Sequence, residues 1–207
     1  MGKIYLPSKN NLLKLKRSIK EYNKGQKLLE EKELILKKKL ENYRLQEKEL
    51  GQMAKRAKVN AIQALKRANV DVGFDELVDI SNAIKEDKTI NIKYLSLMGV
   101  DIPSVISEEL ETKISYGLYH TTVSVDECVV QFIILKKYII KLAELNNTIV
   151  RLQKAIEKVQ RRSNALKEVI IPREEKVVKK IASALEESER DEFVRMKVVK
   201  KKTLANN

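Results

Sequence analysis

Two long stretches of the chain, residues 8–70 and 118–200, carry apolar residues at alternating steps of three and four positions. Such spacing keeps a narrow apolar stripe on one side of a helix, where it packs against a partner helix in a left-handed supercoil. A helix of about 60 residues, at about 1.5 Å per residue, would be about 90 Å long. The predicted seam consists of Leu12, Leu15, Ile19, Tyr22, Leu29, Leu36, Leu40, Leu142, Leu145, Ile149, Leu152, Ile156 and Val159.

The segment between the two stretches has a different pattern. Residues 74–84 have the apolar spacing of a short amphipathic helix, whereas Ile90, Ile92 and Tyr94 alternate with polar residues, as in a strand. Gly99 can turn the chain, and residues 100–105 can return as a second strand with Pro103 on an edge. The segment therefore predicts a short helix followed by a small β-hairpin.

These patterns give a mainly α fold class. We expect a long antiparallel two-helix coiled coil from the N- and C-terminal segments, with a small central insert. The predicted divisions are an N-terminal helix at 1–70, the insert at 71–117, a C-terminal helix at 118–200 and a flexible tail at 201–207. Ser8 is the expected N-cap of the first helix, and Pro172 is expected to kink or restart the second.

The charge is unevenly distributed along the 207 residues. The net charge is +13, yet residues 71–115 hold 10 acidic and 4 basic residues, while residues 1–70 hold 19 basic and 7 acidic ones. The long helices are therefore basic and the insert is acidic. A basic surface of this kind favours an acidic partner, which can be a protein, a nucleic acid or an anionic lipid surface.

No catalytic or metal-binding pattern is present in the sequence. Phosphate-cradling motifs of the GxxxxGK[ST] or GxGxxG type are absent, and the single His120 and single Cys128 cannot form a structural zinc site. A lone cysteine beside Val129 and Val130 is typical of a packing residue. We therefore predict no catalytic residue, no metal and no cofactor, and the absence of a disulfide pair favours a reducing, cytoplasmic compartment.

Four motifs, in order along nearly the whole chain, resemble the D subunit of the V-type and A-type rotary ATPases. Residues 24–32, KGQKLLEEK, are similar to that family's RGxxLLKxK, and residues 7–16 are similar to its opening PT[RK]xxLxxLK. Residues 161–172 resemble RRxNALExxxIP, and residues 186–195 resemble the C-terminal ExERxExxRxK. Glu30, Leu34 and Lys167 depart from the family pattern.

The resemblance implies a non-catalytic rotor shaft. In this family the paired terminal helices enter the bore of the A/B catalytic hexamer, and the shaft couples ATP hydrolysis or synthesis to H⁺ or Na⁺ transport through the membrane ring. The implied partners are a small F subunit, bound one-to-one, the A/B hexamer and the funnel-like d or C subunit on the ring. The implied location is cytoplasmic, with membrane association only through the complex and with no nucleic acid.

The same resemblance suggests which basic residues contact partners. Residues near the paired termini are expected to face the hexamer, and clusters within the helices are expected to face the hexamer collar or the F subunit. The expected contact residues are Lys9, Lys16, Lys24, Lys27, Lys32, Arg161, Arg162, Arg190, Arg195 and Lys197. The alternative from charge alone is a basic coiled-coil scaffold that binds a membrane surface or nucleic acid.

Overall fold

The computed structural model describes residues 6–84, 90–107, 117 and 121–205. Helix α1 spans Lys9–Val72 and α2 spans Phe74–Ala83; strands β1, Ile90–Leu97, and β2, Val100–Ser107, follow. Helix α3 spans Val123–Asn164, a π-helical turn occupies Ala165–Ile170, and α4 spans Ile171–Ala205. The mainly α fold class with a helix and hairpin insert is therefore confirmed.

Some element ends differ from the sequence expectation. Helix α4 continues to Ala205, so Lys201 and the four residues after it are helical, whereas the sequence pattern predicts a tail from position 201. Lys and Ala favour helix, and nothing in residues 201–205 breaks it. The four-segment domain division stays a prediction, and His120 lies outside the described residues.

Contacts divide the chain into two units. Unit 1 joins the residues up to Ile35 with those from Glu157 onward, and unit 2 comprises Leu36–Ile156. None of the helices in the described ranges combines the length and the apolar character needed to cross a bilayer.

Unit 1 pairs the beginning of α1 with the C-terminal helices. Ser8 caps α1, because the Asn11 backbone N–H donates to its Oγ at 3.2 Å, which confirms the predicted N-cap. The buried side chains of this unit, spaced along both sides of the pair, are Leu15, Val159, Ser163, Ile171 and Ile181.

The π-helical turn ends two residues before Pro172. The Ile171 N–H donates to the carbonyl of Leu166, five residues back, where an α-helix would use the fourth. A proline has no N–H to donate, and in a regular α-helix its ring clashes with the carbonyl four residues earlier. The expected disturbance at Pro172 therefore takes the form of a wider turn over the six residues before α4.

Unit 2 contains an antiparallel helix pair with a closed end. A Cβ added at Gly51 of α1 would lie 4.0 Å from Leu142 Cδ1 of α3, and Ser124 Oγ donates to Asp71 Oδ2. Residue numbers thus rise along α1 as they fall along α3. Near the closed end, Ala64 and Ala68 pack with Val125 and Cys128, and half-buried Leu77 and Ile80 of α2 pack against this cluster.

The hairpin closes through a two-residue loop. Leu97 pairs with Val100, and the loop residues Met98 and Gly99 both have positive φ, of 54° and 77°. Two consecutive positive φ values match a type I′ turn, whose twist suits a tight hairpin. Gly99 adopts this conformation without a Cβ penalty.

Truncation of Leu152, which is fully buried in unit 2, should test the seam. We expect Leu152→Ala to lower the free energy of unfolding by about 2–5 kcal/mol, because lost transfer free energy and a residual cavity add together. Leu45→Ala removes the same atoms from a side chain that is 62% exposed, so it should change stability by less than about 0.5 kcal/mol. Urea unfolding followed by circular dichroism measures both, and equal losses would contradict the seam.

The two glycines Gly73 and Gly25 should respond oppositely to alanine. Gly73 has φ 95° and ψ 161°, a region nearly reserved for glycine, so Gly73→Ala should cost about 1–3 kcal/mol. Gly25 lies inside α1, and a Cβ there meets no atom within 4 Å, so Gly25→Ala should add about 0.5–1 kcal/mol. Urea denaturation of the two variants checks the opposite signs, and a shared sign would contradict this account.

Candidate partner-contact surfaces

All ten predicted contact residues fall in unit 1. Nine of them are exposed, and Lys32 is half-buried. Exposure leaves these side chains accessible to a partner. Their role as partner contacts remains a prediction.

The predicted seam residues lie mostly on the inner side of the helices. The half-buried members are Leu12, Ile19, Leu29, Leu142 and Leu145. Tyr22 differs, since 36% of it is exposed. The buried members are Leu15, Leu36, Leu40, Ile149, Leu152, Ile156 and Val159.

An ion pair joins the beginning of α1 to α4 within unit 1. Lys9 Nζ, at the first residue of α1, lies 2.7 Å from Glu189 Oε1 on α4. The pKa of Lys9 is raised above its ordinary 10.5, because the ammonium donates a hydrogen bond to Glu189 and is attracted by that carboxylate. Both side chains are largely exposed, so the pair positions the helices at little gain in stability.

Beyond this ion pair, α4 continues past the start of α1. The sixteen residues from Arg190 to Ala205, at about 1.5 Å each, extend about 24 Å. Every side chain described between Arg190 and Lys201 is exposed. The large apolar ones, 47–65% exposed, are Phe193, Val194, Met196, Val198 and Val199. We call residues 190–201 the terminal α4 segment.

The terminal α4 segment mixes apolar and cationic side chains on all sides of one helix. At 100° per residue, its five large apolar side chains cannot all face a single partner helix. Arg190, Arg195 and Lys197 lie among them, and Lys197 Nζ lies 4.8 Å from the centre of the Phe193 ring. The predicted contact residues include these cations but none of the five apolar residues, whose steps of one and two positions depart from the three–four spacing.

The cations farther from the termini are partly accounted for by contacts within their own helix. Arg161 lies 3.5 Å from Glu157 one helical turn earlier, with both side chains exposed, so this pair contributes little to stability. The expected contacts of these residues with the hexamer collar or the F subunit stay a prediction.

A second surface, which the sequence pattern did not predict, surrounds the hairpin in unit 2. The Arg151 guanidinium of α3 lies 4.9 Å from the centre of the Tyr94 ring on β1. Its Nη1 also donates to the carbonyl of Asp101 on β2, at 2.9 Å. One arginine thus contacts both strands, a contact that no local pattern signals because fifty residues separate Asp101 from Arg151.

The His, Cys, Asp and Glu side chains of the described residues form no candidate metal centre. No group of three or more His, Cys, Asp or Glu side chains converges there in a way that could hold a metal ion. Cys128 is buried among apolar residues, and burial raises the pKa of its thiol above the ordinary 9.0. A thiol with a raised pKa is less often the reactive thiolate, which agrees with a packing role.

Comparison with known proteins decides the family. A sequence model for the D subunit of ATP synthase matches residues 11–201. The A-type ATP synthase D subunit of Pyrococcus horikoshii is 39% identical over 199 residues, covering 94% of this chain and 92% of the relative. The chain belongs to the family of ATP synthase D subunits.

Relatives in both the A-type and V-type classes support this placement in the D-subunit family. The V-type ATP synthase D subunit of Thermotoga neapolitana is 31% identical over 196 residues, covering 95% of this chain and 97% of the relative. The A-type D subunit of Thermococcus kodakarensis is 34% identical over 197 residues, covering 94% and 92%. The resemblance carried by the four motifs is therefore confirmed, and it covers the two long helices and the insert alike.

The ion pair at the termini should have a recognisable pH dependence. A group whose pKa is raised on folding stabilises the fold below its unfolded pKa, and that contribution disappears as pH rises through the folded pKa. Glu189→Gln should therefore lower the melting temperature slightly at neutral pH. At a pH well above 10.5, where Lys9 is neutral, the variant and the wild type should melt alike.

Glu157→Gln is the matched control for this prediction. It removes a carboxylate that faces Arg161, whose guanidinium stays charged throughout this range, so any small difference from the wild type should persist at high pH. Thermal unfolding at the two pH values measures both variants. A Glu189→Gln effect that survives deprotonation of Lys9 would contradict the assigned pair.

Proposed function

We propose that this chain is the non-catalytic central-stalk subunit of an A-type or V-type ATP synthase. Membership of the D-subunit family supports a place in that complex, and the motifs and coverage extend over almost the whole chain. The one structural observation that carries the shaft role is the terminal α4 segment. A helix end that exposes apolar and cationic side chains on every side suits a ring of surrounding surfaces better than a single docking partner.

The proposed mechanism follows from the different side chains that the terminal α4 segment presents on its different faces. A shaft with different side chains on each face contacts each A/B pair of the surrounding hexamer differently. Each pair then favours the conformation that packs best against the face it meets. Rotation changes these contacts at each A/B pair in turn. The nucleotide affinity of each site is therefore coupled to the angle of the shaft, and the strength of this coupling is a free energy.

The mixture of side chains also suits sliding. Long Lys and Arg side chains keep their charge in water while their methylene stems lie along apolar surface. Arg190, Arg195 and Lys197 would thus hold the segment in the bore without a deep pocket that would resist rotation. Lys9 and Lys16, at the beginning of α1, would belong to the same hexamer-facing end.

The remaining partners follow from the proposed role. A small F subunit would bind one-to-one to the helix pair, and the funnel-like d or C subunit would hold the opposite end on the membrane ring. The chain would therefore meet the membrane only through the complex, and other subunits would decide whether the ring moves H⁺ or Na⁺. The proposed contacts with the F subunit or the hexamer collar are Lys24, Lys27, Lys32, Arg161 and Arg162.

Reconstitution with a purified A/B hexamer tests the proposal. We expect one copy to bind per hexamer and to change the rate of ATP hydrolysis, while the chain alone hydrolyses no ATP. Met196→Asp should weaken hexamer binding about tenfold to a hundredfold, because burial of one large apolar side chain contributes about 1.5–3 kcal/mol. Removal of residues 186–207 should weaken the change in rate.

Leu45→Asp is the matched control, because Leu45 is exposed to nearly the same extent, 62% against 65% for Met196, but lies outside the terminal α4 segment. It should bind the hexamer as the wild type does. A chain that neither binds the hexamer nor changes its rate, even with the F subunit present, would refute the shaft role. Binding to anionic vesicles or nucleic acid that falls steeply with salt would then support the basic scaffold.

A further inference from the structure

Among the residues that the structure describes, none forms a strand along the outer edge of β1. Seven of its eight residues are exposed and the eighth is half-exposed. Ile92, Tyr94 and Leu95 are 56–61% exposed, and Lys93 is the only charged residue in the strand. Proteins usually protect a long apolar edge with charges, proline or a covering element, because its free backbone groups pair readily with another strand.

The register shows which backbone groups are free. Leu97 and Val100 flank the two-residue turn, so they form a hydrogen-bonded pair, and such pairs alternate with non-hydrogen-bonded ones along an antiparallel ladder. Asn91, Lys93 and Leu95 therefore bond inward to β2. The N–H and C=O groups of Ile90, Ile92, Tyr94 and Ser96 point away from β2. Within the described residues, no hydrogen bond between backbone groups reaches them.

The outer edge of β2 is unlike that of β1. Pro103 pairs with Tyr94 at a non-hydrogen-bonded position, so the N atom without a proton lies on the outer side of β2. The Asp101 carbonyl already accepts a hydrogen bond from Arg151, and Ile102 and Pro103 are buried. One edge of the hairpin is thus occupied, and the other presents an uninterrupted row of donors and acceptors.

Charge argues against a second copy of this chain as the occupant. In the symmetric antiparallel pairing that uses all the outward-facing residues of β1, from Ile90 to Ser96, Lys93 lies directly opposite Lys93 of the other copy. Like charges placed directly opposite each other destabilise a sheet. Each chain also carries a net charge of +13, which opposes self-association. The occupant that fits is a different polypeptide with an acidic residue facing Lys93.

We propose that the outer edge of β1 receives an extended strand from another subunit of the ATP synthase complex, which adds a third strand to the hairpin. Backbone hydrogen bonds to Ile92, Tyr94 and Ser96 would supply the affinity. Apolar contacts with Ile92 and Tyr94, together with an acidic residue beside Lys93, would select the register. This inference rests on the proposed function only in requiring that the chain enters the complex.

Amide hydrogen exchange resolved by residue tests the proposal directly. The probe is the complex reconstituted from the full-length chain and the purified remaining subunits. In the isolated chain, the Ile92 and Tyr94 amides should exchange fast, while Lys93 and Leu95 should be protected. In the complex, the Ile92 and Tyr94 amides should slow at least about tenfold, because each now donates a hydrogen bond.

A proline variant isolates the backbone contribution. Ile92→Pro removes one outward N–H at a position that donates no bond to β2, so the hairpin should persist, as protection of Lys93 and Leu95 would verify. Ile92→Val is the matched control, because it keeps the N–H and the strand preference. We expect Ile92→Pro to increase the exchange of Tyr94 in the complex about tenfold, and Ile92→Val to leave it unchanged. Lys93→Glu, which keeps every backbone donor, should also increase it about tenfold.

The possible outcomes separate this proposal from the shaft role. If the chain enters the complex while Ile92 and Tyr94 still exchange fast, strand addition is refuted and the shaft role stands. If the chain does not enter the complex, both are refuted. Protection that appears in the isolated chain and rises with its concentration would identify a second copy and overturn the proposed occupant. If Ile92→Pro unfolds the hairpin, Lys93→Glu and the wild-type exchange pattern still decide the matter.

Discussion

Burial of a narrow apolar seam between antiparallel helices is the constraint on which both units depend. In unit 1 the seam includes Leu15 and Ile181, and in unit 2 it includes Leu152 and the alanines from Ala54 to Ala68. A two-helix seam leaves most of each helix surface in water, so the chain tolerates a very high content of charged residues.

The helices depart from the regular seam where a proline, a cluster of small side chains or a glycine changes the local geometry. The π-helical turn at Ala165–Ile170 stands before Pro172, where a regular α-helix would lose a hydrogen bond and suffer a clash. Near the closed end of unit 2, the small side chains of Ala64 and Ala68 share a core with Val125 and with α2. Gly73, in a conformation that other residues rarely adopt, lets the chain turn from α1 into α2.

Two surfaces stand out because the seam does not use them. The terminal α4 segment lies beyond the ion pair of Lys9 with Glu189 and exposes its apolar side chains on every side. The outer edge of β1 leaves backbone donors and acceptors unpaired, while Arg151 anchors the hairpin from its other side. The proposed partners match these exposed groups: surrounding side-chain surfaces for the helix end, and an extended backbone for the strand.

The sequence by itself determined the elements and the family, because helix and strand periodicities and cap residues such as Ser8 are local properties of the chain. It also indicated the hairpin, since Gly99 and the alternation from Ile90 to Tyr94 lie within ten residues of each other. Only the tertiary structure decided that Arg151 contacts both strands, that Pro172 is preceded by a π-helical turn, and that Lys9 meets Glu189. The contacts of Arg151 and of Lys9 join residues at least fifty positions apart. The π-helical turn depends on the hydrogen-bond geometry of a whole turn. Such features follow from how the helices pack, which the spacing of apolar residues constrains but does not fix.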